Sequence, residues 1–215
     1  GGYPCVVTEN DYAGKQKRLE ELVHLFLDLD LRRAGVKNIS PFYNLMKFLA
    51  EKTGEPLNMS ELSGLSGITS PTVEAYLRIL SNLGIVSLTL PFTTQKPKEL
   101  GRMPKCYFWD MGIRNVLLNN FSNIEDRLDR DGYFENLCFL LLHQRANVKS
   151  LKFWRNQNKQ EVDFIINETD AVDTSFNAQS FSPNKYKTFQ KFYPEISLKR
   201  VASVFGNSAE DILTL

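Results

Sequence analysis

Histidine and cysteine are scarce in this sequence. Its 215 residues include two histidines and three cysteines, and Cys5, Cys106 and Cys138 lie far apart in the chain. No two of them have the Cys-x-x-Cys spacing of a zinc site, and an odd number of cysteines cannot pair completely. The sequence therefore predicts reduced thiols and no structural zinc.

Long apolar runs and phosphate-binding glycine loops are also missing. No apolar run approaches the roughly 20 residues of a membrane-spanning helix, and there is no signal peptide, so we expect a cytoplasmic protein without a membrane partner. Neither GxxxxGKS nor GxxxxGKT occurs, which excludes ATP binding by such a loop in this chain. Because the chain starts at Gly1 without Met, we expect it to be part of a longer protein.

A large excess of either charge is absent too. The 26 lysines and arginines are balanced by 25 aspartates and glutamates, which gives a net charge of +1. A dedicated non-specific binder of nucleic acid is usually more basic, so any contact with nucleic acid must come from a local patch. The hydrophobic content of 42% is that of an ordinary globular protein.

Residues 58–86 have the pattern of two short helices joined by a tight turn. The first helix begins at Ser60, the turn lies at Gly67, and the second helix begins at Ser70 and ends at Gly84. Serine before a helix and proline in its first turn satisfy or remove the amide groups that lack a partner there. The apolar residues of the second helix recur at helical spacing. This stretch therefore predicts a helix-turn-helix.

Two strand-like segments, Ile85–Phe92 and Lys105–Asp110, follow it and are joined by a loop rich in lysine, arginine and proline. Together with a helix at Pro41–Lys52, they predict a winged helix over residues 38–120. The second helix of a helix-turn-helix enters the DNA major groove, so DNA is the expected partner. The candidate DNA contacts are Ser70, Thr72, Arg78, Lys96, Lys98, Arg102 and Lys105. Against this, Glu74 would repel phosphate, and a winged helix can instead be a protein-interaction module.

The pattern changes after residue 120 and predicts a second domain over residues 121–215. Its expected elements are a helix, three strands, a helix and a last strand, at Tyr133–Gln144, Val148–Arg155, Glu161–Asn167, Ala171–Asn177, Pro183–Phe192 and Ser197–Phe205. The predicted fold class is therefore mixed α+β: an N-terminal helix and a winged helix-turn-helix domain, followed by a small α/β domain.

Three carboxylates of this second domain could meet at one edge of its sheet. Glu135 lies on the opening helix, Asp163 on the second strand and Asp173 on the third. Carboxylate oxygens are the ligands that magnesium prefers, so these three residues are the candidate catalytic and metal-binding residues.

A helical Glu, then an Asp, then an acidic-x-Lys strand resembles the PD-(D/E)XK nuclease fold, which implies a restriction-endonuclease-like domain. In active members the lysine activates water and the metal neutralises the scissile phosphate. Ser175 stands where that lysine would be, so we favour an inactive domain. The alternative is a magnesium-dependent DNA nuclease in which a lysine of the following helix, Lys185, Lys187 or Lys191, takes the missing role.

An ordered set of motifs resembles the C-terminal region of prokaryotic predicted AAA+-type ATPases. The motifs are Gly-Gly-Tyr-Pro at 1–4, the helix around Asp28–Asp30, the helix-turn-helix, the run at 104–112, and the segments at 133–136 and 161–165. The resemblance covers nearly the whole chain. It implies that an ATP-binding ATPase domain precedes this chain as its partner, that residues 1–37 continue from that domain, and that this chain is a nucleic-acid-binding accessory region.

Overall fold

The chain folds into two compact units. The computed structural model describes residues 1–94, 103–145, 147–177, 179 and 181–203. Unit 1 comprises residues 1–88 and 106–127, and unit 2 comprises residues 89–105 and 128–215. Helices and strands are mixed along the chain, so the α+β class is confirmed. Among the described residues, every helix is either too short or too polar to serve as a transmembrane span.

Unit 1 begins with a short helix, α1 (Pro4–Val7), and one long helical stretch. The long stretch consists of α2 (Tyr12–Leu25), a π-helical turn at Phe26–Asp30 and α3 (Leu31–Arg33). It contains the N-terminal helix predicted around Asp28–Asp30, although the sequence did not indicate the π-helical turn. Leu19, Val23, Phe26 and Leu31 of this stretch pack into the core of unit 1.

The next helices and strands of unit 1 occur in the order that the sequence predicts. Helices α4 (Ile39–Glu51), α5 (Met59–Ser66) and α6 (Ser70–Asn82) precede two strands, β1 (Val86–Thr89) and β2 (Lys105–Phe108). The strands pair into a two-stranded sheet. This is the sequence of elements of a winged helix, and α7 (Met111–Leu118) comes directly after it.

Local interactions explain the turn between α5 and α6. The side-chain oxygen of Asn58 accepts hydrogen bonds from the amides of Ser60 and Glu61, at 3.0 and 3.3 Å. These bonds satisfy two amides that have no partner within the helix. Gly67 ends α5 with φ of 70°, a left-handed conformation that glycine adopts without steric cost. Both signals are readable in the sequence.

One core serves all the helices of unit 1. Val23 and Phe26 of the first helices belong to the same buried cluster as Leu45 of α4 and Leu77 and Leu80 of α6. Burial of such side chains is the main stabilising contribution to a domain of this kind. The residues predicted as a separate segment before residue 38 therefore fold as part of the same unit as the winged helix.

The described residues of unit 2 form a four-stranded sheet and two α-helices. Its elements are α8 (Arg130–His143), β3 (Leu151–Arg155), β4 (Glu161–Ile166), β5 (Asp170–Ser175), α9 (Pro183–Phe192) and β6 (Ser197–Ala202). The strand order is β3-β4-β5-β6. The first two pairings are antiparallel, and β5 pairs with β6 in parallel, with α9 forming the crossover between them. These elements lie within a few residues of the predicted ones.

The segment after β1 joins this sheet. Pro91 forms a β-bridge with Phe153 of β3, and the Phe92 amide donates to the Phe153 carbonyl at 2.5 Å. Phe92 also belongs to the core of unit 2 with Trp154 and Phe189. The predicted strand over residues 85–92 is therefore divided: its first half pairs with β2, and its end belongs to unit 2.

Candidate functional site

The outward side of α6 is the candidate DNA-contacting surface of unit 1. Val73, Leu77 and Leu80 of the helix are buried. Glu74 and Arg78 are exposed, and Ser70 and Thr72 are partly exposed. The hydroxyl of Thr72 shares a hydrogen bond of 2.9 Å with that of Thr69 at the start of the helix. The structure thus leaves the three predicted contacts on this helix accessible to a ligand.

Four basic residues of the hairpin were predicted to contact DNA, and the structure describes one of them. Lys96, Lys98 and Arg102 lie outside the described residues. Lys105 is described, and its side chain is 0% exposed. This burial contradicts the prediction that Lys105 contacts DNA, because a phosphate contact needs a charge at the surface.

Lys105 instead lies among three carboxylates of unit 2, which we call the Lys105 cluster: Lys105, Glu135, Glu161 and Asp163. Its Nζ is 2.8 Å from Oε1 of Glu135, 2.8 Å from Oε1 of Glu161 and 3.3 Å from Oδ1 of Asp163. Glu135 comes from α8. Glu161 and Asp163 are two positions apart on β4 and therefore point to the same face of the sheet.

Further donors hold two of these carboxylates in place. Oε2 of Glu161 accepts a hydrogen bond of 3.0 Å from the guanidinium of Arg155 on β3. Oδ2 of Asp163 accepts from both the amide and the hydroxyl of Thr174 on β5, each at 2.8 Å. Buried charges are tolerated when they are paired and hydrogen-bonded in this way. The cluster is therefore a connected network within unit 2 that links Lys105 to α8, β3, β4 and β5.

Asp173 has its own partners beside this network. It is fully buried on β5 and accepts hydrogen bonds from Lys185 Nζ at 2.9 and 2.7 Å and from the Tyr186 hydroxyl at 2.7 Å. Of the three lysines predicted to replace the missing one, Lys185 thus reaches a candidate carboxylate. Lys187 and Lys191 are exposed on α9.

Burial changes the protonation of two of these carboxyl groups. Desolvation, together with the negative charge of Asp163, raises the pKa of Glu135 to about 8, although Lys105 opposes the shift. Desolvation and Asp163 also raise the pKa of Asp173 to about 6, against the effect of Lys185. Burial therefore favours the neutral form of Glu135.

The predicted magnesium site is not formed by these residues. The part of the chain that the structure describes contains no group of three or more histidine, cysteine, aspartate or glutamate residues that could hold a metal ion. The three predicted ligands, Glu135, Asp163 and Asp173, are held by two lysine ammonium groups instead. This arrangement contradicts the expectation that they bind a metal together, because each ammonium repels a second cation.

Sequence reasoning missed two members of the cluster. Glu161 precedes Asp163 by two residues, and this alternation was a readable sign that both side chains lie on one face of a strand. The position of Lys105 had no such sign, since it lies 30 residues from Glu135 and 58 from Asp163.

Comparisons with known proteins found one family and one solved structure with similarity to this chain. A solved structure of a MarR family protein of Mycobacterium tuberculosis, in complex with salicylic acid, is similar at 17% sequence identity. The similarity covers 53% of this chain and 76% of that chain, with a TM-score of 0.27. No match was found among curated proteins. The model of a family described as a domain of unknown function, DUF8612, matches residues 1–124, more than half of the sequence. The chain therefore belongs to the DUF8612 family.

Proposed function

We propose that this chain is a DNA-binding accessory region and that unit 1 contacts duplex DNA through α6. The observation that carries the proposal is the helix-turn-helix of α5 and α6, whose apolar side is buried while Arg78 and Asn82 are exposed on α6. An α-helix fits the major groove, where arginine binds guanine or phosphate and asparagine binds adenine.

In this proposal the hairpin between β1 and β2 also contacts DNA. Lys96, Lys98 and Arg102 would contact phosphates beside the groove, since a wing with three basic residues supplies a local positive patch in a chain of net charge +1. Lys105 has no part in this contact because its side chain is buried.

The proposal includes an ATPase domain as the partner of this region, in the cytoplasm, and assigns ATP binding to that domain. An apolar surface of unit 1 supports a protein contact. Leu25 and Leu83 are 54% and 41% exposed. Both line a cavity of about 300 Å³ together with Tyr3, Phe26 and Ile85. Exposed apolar patches beside a cavity are typical of surfaces that bind another protein.

Unit 2 serves in this proposal as a nuclease-like platform without nuclease activity. The Lys105 ammonium among Glu135, Glu161 and Asp163 supports an inactive site, because it takes the place where a catalytic cation would be needed. The same observation disfavours the alternative, a magnesium-dependent nuclease that uses Glu135, Asp163 and Asp173.

Two variants of α6 test the DNA contact with opposite expected results. Arg78→Ala removes a positive charge from the proposed interface and should weaken binding to a labelled duplex, with a loss of about one unit from the log–log salt slope. Glu74→Ala removes a negative charge from the same helix and should strengthen binding. Fluorescence anisotropy at several salt concentrations measures both.

Both residues are exposed, so neither change should affect folding, and circular dichroism serves as the control. Equal affinities of the two variants and the wild type would show that α6 does not face the DNA.

A further inference from the structure

We propose that Lys105 is a built-in replacement for a metal ion: its ammonium group fills the cation site formed by Glu135, Glu161 and Asp163, so the site takes no divalent metal. The resemblance to PD-(D/E)XK nucleases implies magnesium at carboxylates of α8, β4 and β5, namely Glu135, Asp163 and Asp173. The residues at this site do not fit a magnesium ion, because the Lys105 ammonium already lies among the carboxylates. The inference concerns unit 2 and does not depend on DNA binding by unit 1.

The geometry of the ammonium is the first argument. Three carboxylate oxygens, one from each acidic residue, lie at 2.8, 2.8 and 3.3 Å from Lys105 Nζ. An ammonium group has three N–H donors, which equals the number of these oxygens. A magnesium ion would need its oxygen ligands at about 2.0–2.1 Å and could reach them only by displacing the ammonium.

The burial of the lysine is the second argument. Its side chain is 0% exposed, and Nζ lies 5.3 Å from the centre of the Phe153 ring. The backbone of Lys105 is fixed as the first residue of β2. The ammonium is therefore enclosed within the fold, whereas a lysine at the mouth of a site could swing away and admit a metal.

The second oxygens of the carboxylates are the third argument. Oε2 of Glu161 accepts from Arg155, and Oδ2 of Asp163 accepts from Thr174. A metal ion that avoided the ammonium by binding these oxygens would have to break hydrogen bonds and approach a guanidinium. Oδ2 of Asp163 already accepts two hydrogen bonds, and the positive charge of Arg155 beside Oε2 of Glu161 disfavours a divalent ion there.

The test compares manganese binding by the wild type and by Lys105→Ala. Manganese is a suitable probe because it prefers oxygen ligands and its free ion gives an electron paramagnetic resonance signal that falls on binding. We expect no saturable binding by the wild type. Lys105→Ala should bind one manganese ion saturably, and manganese should raise the melting temperature of this variant.

Two further variants locate the effect. Lys105→Ala combined with Asp163→Asn should lose the gained binding, because the site then lacks a ligand. Lys199→Ala removes an exposed lysine of β6 and is the matched control, so it should bind no more manganese than the wild type. Saturable binding by the wild type that Asp163→Asn abolishes would overturn the inference, and so would a folded Lys105→Ala protein that does not respond to manganese.

Removal of a buried positive charge could prevent folding of Lys105→Ala in the absence of metal. Lys105→Met keeps most of the apolar stem and provides a second variant for the same measurement. If both variants fold only when refolded with manganese chloride, the metal replaces the ammonium as we infer. If neither folds with manganese, the site is not a cation site that a metal can fill, and the inference is wrong.

Discussion

At the scale of single residues, Glu135 determines how the charges of the Lys105 cluster balance. The three carboxyl groups of the cluster lie beside the Lys105 ammonium, and Glu161 also pairs with the Arg155 guanidinium. Protonation of Glu135 removes one of the three negative charges. The raised pKa of Glu135, about 8, agrees with this balance because burial disfavours an uncompensated charge.

This protonation makes stability depend on pH. The pKa of Glu135 is about 8 in the folded protein and near 4.5 in the unfolded chain, so the folded state binds more protons between these values. The free energy of unfolding should therefore fall as the pH rises through this window, by at most about 1.4 kcal/mol per pH unit. Glu135→Gln cannot lose a proton, and its stability should change less with pH.

Urea denaturation of both proteins at several pH values between 6.5 and 9 measures this difference. The lower limit matters because the pKa of Asp173 is raised to about 6 and shifts stability in the same direction at lower pH. Parallel curves for the wild type and the variant would show that Glu135 does not titrate in this range.

Lys105 shows what a sequence cannot reveal at this scale. It lies at the end of a basic segment, so composition groups it with Lys96, Lys98 and Arg102 as a surface residue. Its acidic partners become its neighbours only when α8 and β4 fold next to Lys105, and no local pattern indicates that contact. The missing lysine at Ser175 was readable because it depends on one position in one strand.

At the scale of elements, local signals made the helix-turn-helix predictable. The bounds of α5 and α6 depend on nearby residues such as Asn58 and Gly67, and both helices lie where the sequence indicated. The first strand of the hairpin was predicted too long because its end pairs with a distant partner. Pro91 meets Phe153 across a long separation in sequence, which apolar alternation in one segment does not specify.

The cap of α5 provides a quantitative prediction. Asn58→Ala removes the acceptor for the amides of Ser60 and Glu61 and should lower the free energy of unfolding by about 1 kcal/mol. Asn58→Asp keeps an acceptor oxygen and should stay close to the wild type. Urea denaturation of the three proteins compares them, and equal stabilities would show that the cap does not stabilise α5.

At the scale of the whole molecule, the family match and the proposed DNA contact coincide. The family model covers residues 1–124, which include all of α5, α6 and the hairpin. The sheet of β3–β6 lies beyond that match. The proposed division of roles therefore places recognition of DNA in unit 1 and a metal-free, lysine-filled site in unit 2.

The weak overall charge makes the proposed DNA contact testable by salt. A chain with a net charge of +1 gains little attraction for DNA from its total charge, so binding must come from a defined patch. Each phosphate contact made by that patch releases counterions, and affinity then falls steeply as salt rises. A protein that binds only other proteins would show no salt-dependent binding to duplex DNA.

The most direct test of the central claim is a titration of a labelled DNA duplex with the wild-type protein, followed by fluorescence anisotropy at a series of salt concentrations. We predict saturable binding whose logarithm falls linearly with the logarithm of the salt concentration, with the slope of a few phosphate contacts. Absence of binding at the lowest salt concentration, with the protein folded, would contradict the proposal that unit 1 is a DNA-binding module.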